Sequence, residues 1–258
     1  MAQLEASGTK GANVSGATEI DVAWTADGVD ERRAGGGTAV VIDVLRATTT
    51  MASLLAAGAS RIWPVGDLEE ARGLARELSR DPERKVLLAG ERKGLPPEGF
   101  DLGNSPLRFD RERVRGSDVV LTTTNGTQAI ERCRRAARLI TASFVNMGAV
   151  VRQLLAWRPA SIYVACAGTE GRFSLDDALA AGCLISRFSE HVSCSLSDGA
   201  LAARALYERY AGDVETGLGL AAHAGALRAI GFDDDIRFAA RIDALDVAPV
   251  RAGEERGA

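Results

Sequence analysis

Residues 119–130 read VVLTTTNGTQAI, and residues 40–51 read VVIDVLRATTTM. In both stretches an apolar run ends at polar side chains, and a pattern typical of a helix follows. Continuous apolar strands that alternate with helices are typical of a parallel sheet with helices on both faces. The two stretches therefore predict an α/β fold whose polar strand ends lie at the edge of the sheet where such folds bind ligands.

The rest of the chain repeats this alternation. Further strands are expected at 61–66, 85–90, 138–143, 161–168 and 244–250, and helical patterns lie between and after them. A loop rich in Gly and Pro, residues 91–109, interrupts the pattern, and a loop of that length in a compact domain is generally functional. We predict a three-layer α/β/α architecture around a mostly parallel sheet.

The two quoted stretches also resemble each other when they are aligned with an offset of 79 positions. A second pair of segments, VLLAGE and VACAGT, aligns with an offset of 78. We interpret this as an internal duplication of two βαβ-type halves, residues 20–115 and 116–250. Residues 1–19, which are small and polar, are expected to form a disordered lead-in, and residues 251–258 a flexible tail.

Composition narrows the function classes. The 258 residues carry a net charge of −4, which gives no general attraction to nucleic acid or to anionic membranes. No apolar run approaches the roughly 18 residues that cross a bilayer, and no secretory signal is recognisable. Four cysteines without a CxxC pair, and two histidines, argue against zinc and disulfide frameworks. We expect a reduced, cytoplasmic protein that binds neither nucleic acid nor membrane, with a homodimer as one option.

The end of the predicted strand at 118–123 is a candidate anion site. Thr124, Asn125, Gly126 and Thr127 stand before a helix, where backbone N–H groups, hydroxyls and an amide would suit a phosphate group. The same residues also fit an ordinary strand followed by a tight turn. We predict all four as substrate contacts.

Asp43 and Arg46 occupy the corresponding position after the strand in residues 40–51. A charged pair at the end of a buried strand is costly unless it is matched. We therefore favour ligand binding over a salt bridge that only closes the loop. Arg46 would donate to an anionic ligand, and Asp43 would bind Mg²⁺ as a hard oxygen ligand.

The long loop supplies further candidates. Glu91 begins it and is predicted as a second carboxylate for Mg²⁺. Arg92, Asn104 and Ser105 are predicted to contact the substrate. The alternative interpretation is that the charged run Glu91-Arg92-Lys93 is simply exposed to solvent.

The segment CAGTEGRF, residues 166–173, suggests a different chemistry. The spacing of Cys166 and Arg172 also occurs in cysteine-dependent phosphatases, in which a thiolate attacks phosphorus. That mechanism needs a lowered thiol pKa, and Glu170 would bring negative charge into the phosphate cradle. The competing interpretation is a small buried cysteine. The two histidines, His191 and His223, are expected to be structural.

Five blocks resemble, in order, the 2-phosphosulfolactate phosphatase family: IDVLRATTT, AGERKGLPPEGFDLGNSP, TTTNGT, CAGTEGRFSLDDALAAG and GFDDDIRFAARIDALDVAPV. The resemblance extends from about residue 38 to residue 250. It implies an α/β fold and Mg²⁺-dependent hydrolysis of 2-phospho-3-sulfolactate to 3-sulfolactate, a reaction of coenzyme M biosynthesis. It also implies that ten residues occupy family motif positions: Asp43, Arg46, Glu91, Asn104, Ser105, Asn125, Gly126, Thr127, Gly168 and Asp177.

The resulting hypothesis is a Mg²⁺-dependent phosphatase that acts on a small anionic phosphate ester. The phosphate would lie at the helix N-termini after Arg46 and Asn125, and Mg²⁺ would be held by Asp43 together with Glu91 or Asp177. Gly168 and Arg172 would complete the substrate contacts, with Cys166 as the alternative nucleophile. Asp235, in the last predicted helix, could face the site or cap the helix. A protein that binds phosphorylated metabolites without catalysis is the third hypothesis.

Overall fold

The computed structural model describes residues 3–6 and 16–251. The strands are β1 (Leu4–Ala6), β2 (Thr18–Ala23), β3 (Thr38–Ile42), β4 (Arg61–Val65), β5 (Lys85–Gly90), β6 (Ser117–Thr122), β7 (Arg138–Ala142), β8 (Ser161–Cys166), β9 (Cys194–Leu196) and β10 (Pro249–Arg251). The α-helices are α1 (Glu31–Ala34), α2 (Ala47–Ala56), α3 (Leu68–Leu78), α4 (Arg111–Val114), α5 (Gly126–Arg132), α6 (Met147–Trp157), α7 (Leu175–Ser189), α8 (Asp198–Tyr210), α9 (Val214–Gly219), α10 (Ala222–Ala229) and α11 (Asp233–Ala239).

The strands form one sheet in the order β5-β6-β4-β1-β10-β7-β3-β8-β2-β9. Strands β5, β6 and β4 are parallel to one another, and so are β7, β3, β8, β2 and β9. Between the two parallel groups, β1 and β10 pair antiparallel with each other and with their outer neighbours. The mostly parallel sheet is therefore confirmed.

Strand β3 shows why both faces of the sheet carry helices. All five of its residues are buried. Val40 and Ile42 pack into a core cluster with Phe144 of the neighbouring layer, whereas Ala39 and Val41 pack into a separate cluster on the other face. Side chains alternate between faces along a strand, and each buried Val or Ile contributes about 1.5–3 kcal/mol. This two-sided burial confirms the layered α/β architecture.

Part of the sheet was not anticipated from the sequence. Strands β2 and β9 were missed, and β10 is shorter than the expected strand at 244–250. The predicted lead-in at 1–19 is wrong for Leu4–Ala6, which form β1, and for the first two residues of β2. Most of the lead-in and all but the first residue of the predicted tail lie outside the described residues. Three-residue strands are defined by their partners in the sheet, so local sequence gives little signal for them.

The predicted boundary between residues 115 and 116 does not divide the sheet. Strand β6, from the second predicted half, pairs with β4 and β5 from the first. Strand β3, from the first half, lies between β7 and β8 from the second. The two halves are thus interleaved, and the internal duplication itself stays a prediction.

Three successive antiparallel pairings, β4 with β1, β1 with β10 and β10 with β7, separate the two parallel groups. The strands of one group therefore point in the opposite direction to those of the other. Helices α2 and α5, which follow β3 and β6, nevertheless pack against each other. The polar strand ends therefore meet between two parallel groups and not along the single sheet edge that we expected. Among the residues that the structure describes, no helix combines the length and the apolar character that crossing a membrane requires.

Candidate active site

The loops after β3, β5, β6 and β8 line a cavity of about 790 Å³, and α10 contributes another wall. The cavity brings together eight of the predicted site residues: Asp43, Arg46, Glu91, Arg92, Asn104, Thr124, Asn125 and Arg172. Charged strand ends from both parallel groups thus meet in one place.

Asp43 lies at the base of this cavity, directly after β3, and is only 6% exposed. Its Oδ1 accepts a hydrogen bond of 3.1 Å from the backbone N–H of Ala47. A Cβ at Gly126 would lie 2.6 Å from Asp43 Oδ2, so a residue without a side chain is needed for this close approach. The first residue of α5 is therefore pressed against the Asp43 carboxylate.

This contact changes the predicted role of the helix N-termini. The N–H groups of Ala47 and Gly126 interact with Asp43, although we expected them to meet a phosphate group. Burial, together with the negative charges of Asp176 and Glu91, outweighs these donors and raises the pKa of Asp43 to about 7. Asp43 is thus a carboxyl that titrates near neutral pH.

Glu91 connects the loops after β5 and β6. Its Oε1 accepts hydrogen bonds from the backbone N–H and the hydroxyl of Thr124, both at 2.9 Å. Its Oε2 accepts the N–H of Gly94 at 2.8 Å. The donors of Thr124 that we expected to bind substrate are therefore directed to Glu91, which is 9% exposed and faces the cavity.

Arg46 lines the cavity, but its side chain is held on several sides and is 2% exposed. Its Nη1 donates to Asp235 Oδ2 at 2.8 Å, and its Nη2 donates to the Gly94 carbonyl at 2.7 Å. The guanidinium lies 4.2 Å from the centre of the Phe232 ring. We predicted Ser105 as a substrate contact. Its hydroxyl donates to Asp235 Oδ1 at 2.7 Å, so it contacts the carboxylate that pairs with Arg46.

Asp177 joins the turns after β3 and β8. Its Oδ1 accepts the N–H of Val44 at 2.8 Å, and its Oδ2 accepts the N–H of Gly168 at 2.9 Å. It is 2% exposed and is not among the residues that line the cavity. Asp177 and Gly168 thus form a structural link outside the cavity lining, and this geometry does not favour their predicted roles as metal ligand and substrate contact.

Cys166 does not fit the role of a nucleophile. It is 1% exposed and lies outside the cavity lining. Burial raises the pKa of its thiol well above the ordinary value, and the charges of Asp177 and Asp176 raise it further. A nucleophilic cysteine needs the opposite shift, so the surroundings of Cys166 do not favour the cysteine-dependent mechanism.

Thr127 does not line the cavity. Its hydroxyl donates to the carbonyl of Thr123 at 2.9 Å, and its N–H donates to the Thr123 hydroxyl at 3.3 Å. These bonds close the first turn of α5, so Thr127 and Gly126 shape the site without lining it.

The basic residues of the cavity differ in how firmly they are held. Arg92 donates to the Glu91 carbonyl at 2.7 Å and to the Thr122 hydroxyl at 3.1 Å. Arg172 keeps 82% of its side chain exposed and forms a long ion pair of 3.8 Å with Glu170. Lys93 also lines the cavity. The site thus offers both a fixed and a mobile cation to anionic groups.

Sequence reasoning missed several residues of this site. His223, at the second position of α10, lines the cavity, although we expected it to be structural. Phe173, Leu227 and Ile230 give the cavity an apolar wall. Asp235 was noted only as a residue that could face the site. Phe173 directly follows Arg172, but the others lie far from the predicted site residues in sequence, and no local motif marks them.

Comparison with known proteins identifies the family of the chain. Residues 24–254 match the family model described as 2-phosphosulpholactate phosphatase. A probable 2-phosphosulfolactate phosphatase of Thermotoga petrophila is 44% identical over 212 residues, which cover 82% of this chain and 88% of that protein. Proteins with the same name from Synechococcus sp. (44%, covering 82% and 87%) and Clostridium perfringens (39%, covering 89% and 92%) are similar. The chain belongs to the 2-phosphosulfolactate phosphatase family.

Proposed function

We propose that this protein hydrolyses a small anionic phosphate monoester to an alcohol and inorganic phosphate, with 2-phospho-3-sulfolactate as the substrate. One observation carries the proposal: two carboxylates, Asp43 and Glu91, share a single cavity with Arg46 and Arg92. A site that only bound anions would gain nothing from two central carboxylates. The relatives named above are named for this reaction, which is associated with coenzyme M biosynthesis.

The cations of the cavity match the charge of that substrate. Phosphosulfolactate carries a phosphate, a carboxylate and a sulfonate. Arg46, Arg92, Lys93 and Arg172 all line the cavity. We assign Arg46, the most firmly held of these cations, to the phosphoryl group, because charge stabilisation is effective when the donor is already in place. Arg92, Lys93 and Arg172 would then receive the carboxylate and the sulfonate.

Asp43 and Glu91 also fit a bound Mg²⁺. Their oxygens are the hard ligands that this ion prefers, and Mg²⁺ is commonly held by one or two carboxylates, with waters and substrate oxygens completing its shell. Within residues 3–6 and 16–251 no group of three or more His, Cys, Asp or Glu side chains is arranged to hold a metal, so the proposal requires waters and substrate oxygens as the remaining ligands. Repulsion from Glu91 contributes to the raised pKa of Asp43, and a cation between them would relieve it. Bound there, Mg²⁺ would neutralise charge on the phosphoryl oxygens.

The apolar wall of the cavity has a role in this proposal. Leu45, Phe173, Leu227 and Ile230 line the cavity together with the charged groups. Apolar surroundings exclude water and lower the local dielectric constant, which strengthens the attraction between the cations and the phosphoryl group. Cytoplasmic location and a homodimer stay predictions from sequence.

The test is a phosphate-release assay on purified protein with a panel of phosphate monoesters, with and without Mg²⁺. We expect release from 2-phospho-3-sulfolactate that EDTA abolishes and added Mg²⁺ restores. Tight binding of the ester by calorimetry, with no phosphate released in Mg²⁺, would instead identify a non-catalytic binding protein. Release that persists in EDTA would refute the metal assignment.

A further inference from the structure

We propose that Asp235 is a positioning residue that fixes the guanidinium of Arg46 against the phosphoryl group. This inference rests on the proposed phosphatase function. Arg46 lines the cavity and Asp235 does not, so Asp235 would act on substrate only through Arg46.

The two residues form a buried ion pair across the molecule. Arg46 Nη1 lies 2.8 Å from Asp235 Oδ2, and both side chains are 2% exposed. Ser105 donates to the second carboxylate oxygen of Asp235, so that each of the two oxygens has a defined partner. The ring of Phe232, next to α11, lies 4.2 Å from the Arg46 guanidinium. The guanidinium is therefore restrained in both direction and plane.

The pair also reaches the proposed metal ligand. Arg46 Nη2 donates to the carbonyl of Gly94, and the N–H of the same Gly94 donates to Glu91 Oε2. A shift of Arg46 would therefore move the turn that orients Glu91. Through Arg46, Asp235 on α11 holds elements that follow β3 and β5, on opposite sides of the antiparallel junction.

The chemistry of arginine explains why such a support is useful. The guanidinium is a planar fork, so its contacts fix orientation as well as position. Charge stabilisation in a transition state depends on donors that need no rearrangement when the reaction occurs. A buried arginine without a counter-charge would also repel any added cation nearby. Asp235 holds the guanidinium in one orientation and balances its charge, and it does so without lining the cavity.

The first experiment compares Asp235→Asn with the parent enzyme in phosphate release from 2-phospho-3-sulfolactate in Mg²⁺. The amide keeps the shape but loses the charge, and we expect kcat to fall about tenfold to a hundredfold, the usual effect of removing a residue behind an active group. KM should change less, because substrate contacts are retained. The matched control is Asp234→Asn, on the same helix, whose partner Arg237 is at the surface. Its kcat should equal that of the parent.

The second experiment separates positioning from a merely structural role. In an Arg46→Ala background, Asp235→Asn should cause no additional loss of kcat, because the residue acts only through Arg46. Ser105→Ala provides a milder variant if Asp235→Asn does not fold, with a loss of a few-fold in the parent and none in Arg46→Ala. Parent-like kcat in Asp235→Asn, or losses that multiply in the double variant, would overturn the proposal.

Failure of the proposed function would be visible separately, as a parent protein that releases no phosphate. Binding of inorganic phosphate, measured by calorimetry, would then test Asp235. We expect weaker binding in Asp235→Asn and parent-like binding in Asp234→Asn. Equal binding in both variants would refute the positioning role.

Discussion

Two pairs of carboxylates lie at or near the cavity, and they differ in their access to it. Asp43 and Glu91 line the cavity, whereas Asp176 and Asp177, in the first turn of α7, are each 2% exposed and lie outside its lining. Burial raises the pKa of Asp43, Asp176 and Asp177. Hence neither residue type nor a raised pKa distinguishes a ligand-binding carboxylate from a structural one. The distinction comes from which groups already occupy the oxygens and from the open space beside them.

The largest effect is expected for Asp43→Asn. The amide can still accept the N–H of Ala47, so the fold should persist, but the loss of charge would weaken Mg²⁺ binding. Phosphate release should fall about a thousandfold, in the range seen when a central electrostatic group is removed. Activity within tenfold of the parent, in a protein with normal thermal unfolding, would contradict the assignment of Asp43.

The buried pair should behave in the opposite way. Asp177→Ala leaves the N–H groups of Val44 and Gly168 without their acceptors, and each buried unpaired group costs about 1–3 kcal/mol. We expect the free energy of unfolding, measured in urea, to fall by about 3 kcal/mol. The protein that remains folded should keep the parent's Mg²⁺ affinity. A large loss of that affinity without loss of stability would restore Asp177 as a ligand.

The pH dependence of stability gives a smaller effect. The pKa of Asp43 is raised from 3.8 to about 7, so between these values the unfolded chain releases a proton that the folded protein keeps. Stability from this group is therefore complete below about pH 4 and is lost as the pH rises through 7. From pH 5 to pH 8, without Mg²⁺, the parent should lose about 2–3 kcal/mol more than Asp43→Asn. Asp176 and Asp177 act in the same direction in both proteins, so equal pH profiles would contradict the placement of Asp43.

The smallest effect is expected for Cys166→Ser. A hydroxyl replaces a buried thiol of similar size, so stability should fall by about 1 kcal/mol because a polar group is buried. The rate of phosphate release should stay within about twofold of the parent. Inactivation of this variant while the parent remains active in EDTA would revive the thiolate mechanism.

The sequence was informative where structure is locally determined. Strands such as β3 and β6 are continuous apolar runs, so their positions and the polar residues at their ends could be predicted. Asp43, Glu91 and Arg46 were found in this way. The direction of a side chain could not be predicted in this way. The residues next to Asp177 in sequence do not indicate that its carboxylate accepts the N–H groups of Val44 and Gly168. The ion pair between Arg46 and Asp235 spans most of the chain and depends on packing that only the fold creates.

The most direct test of the account is a crystal structure of the protein with Mn²⁺ in place of Mg²⁺ and a non-hydrolysable phosphate mimic. The account predicts an anomalous peak about 2.0–2.2 Å from oxygens of both Asp43 and Glu91, with the mimic beside it and within reach of Arg46. A metal bound at Asp176 or Asp177, or a mimic bound outside the cavity, would contradict the account.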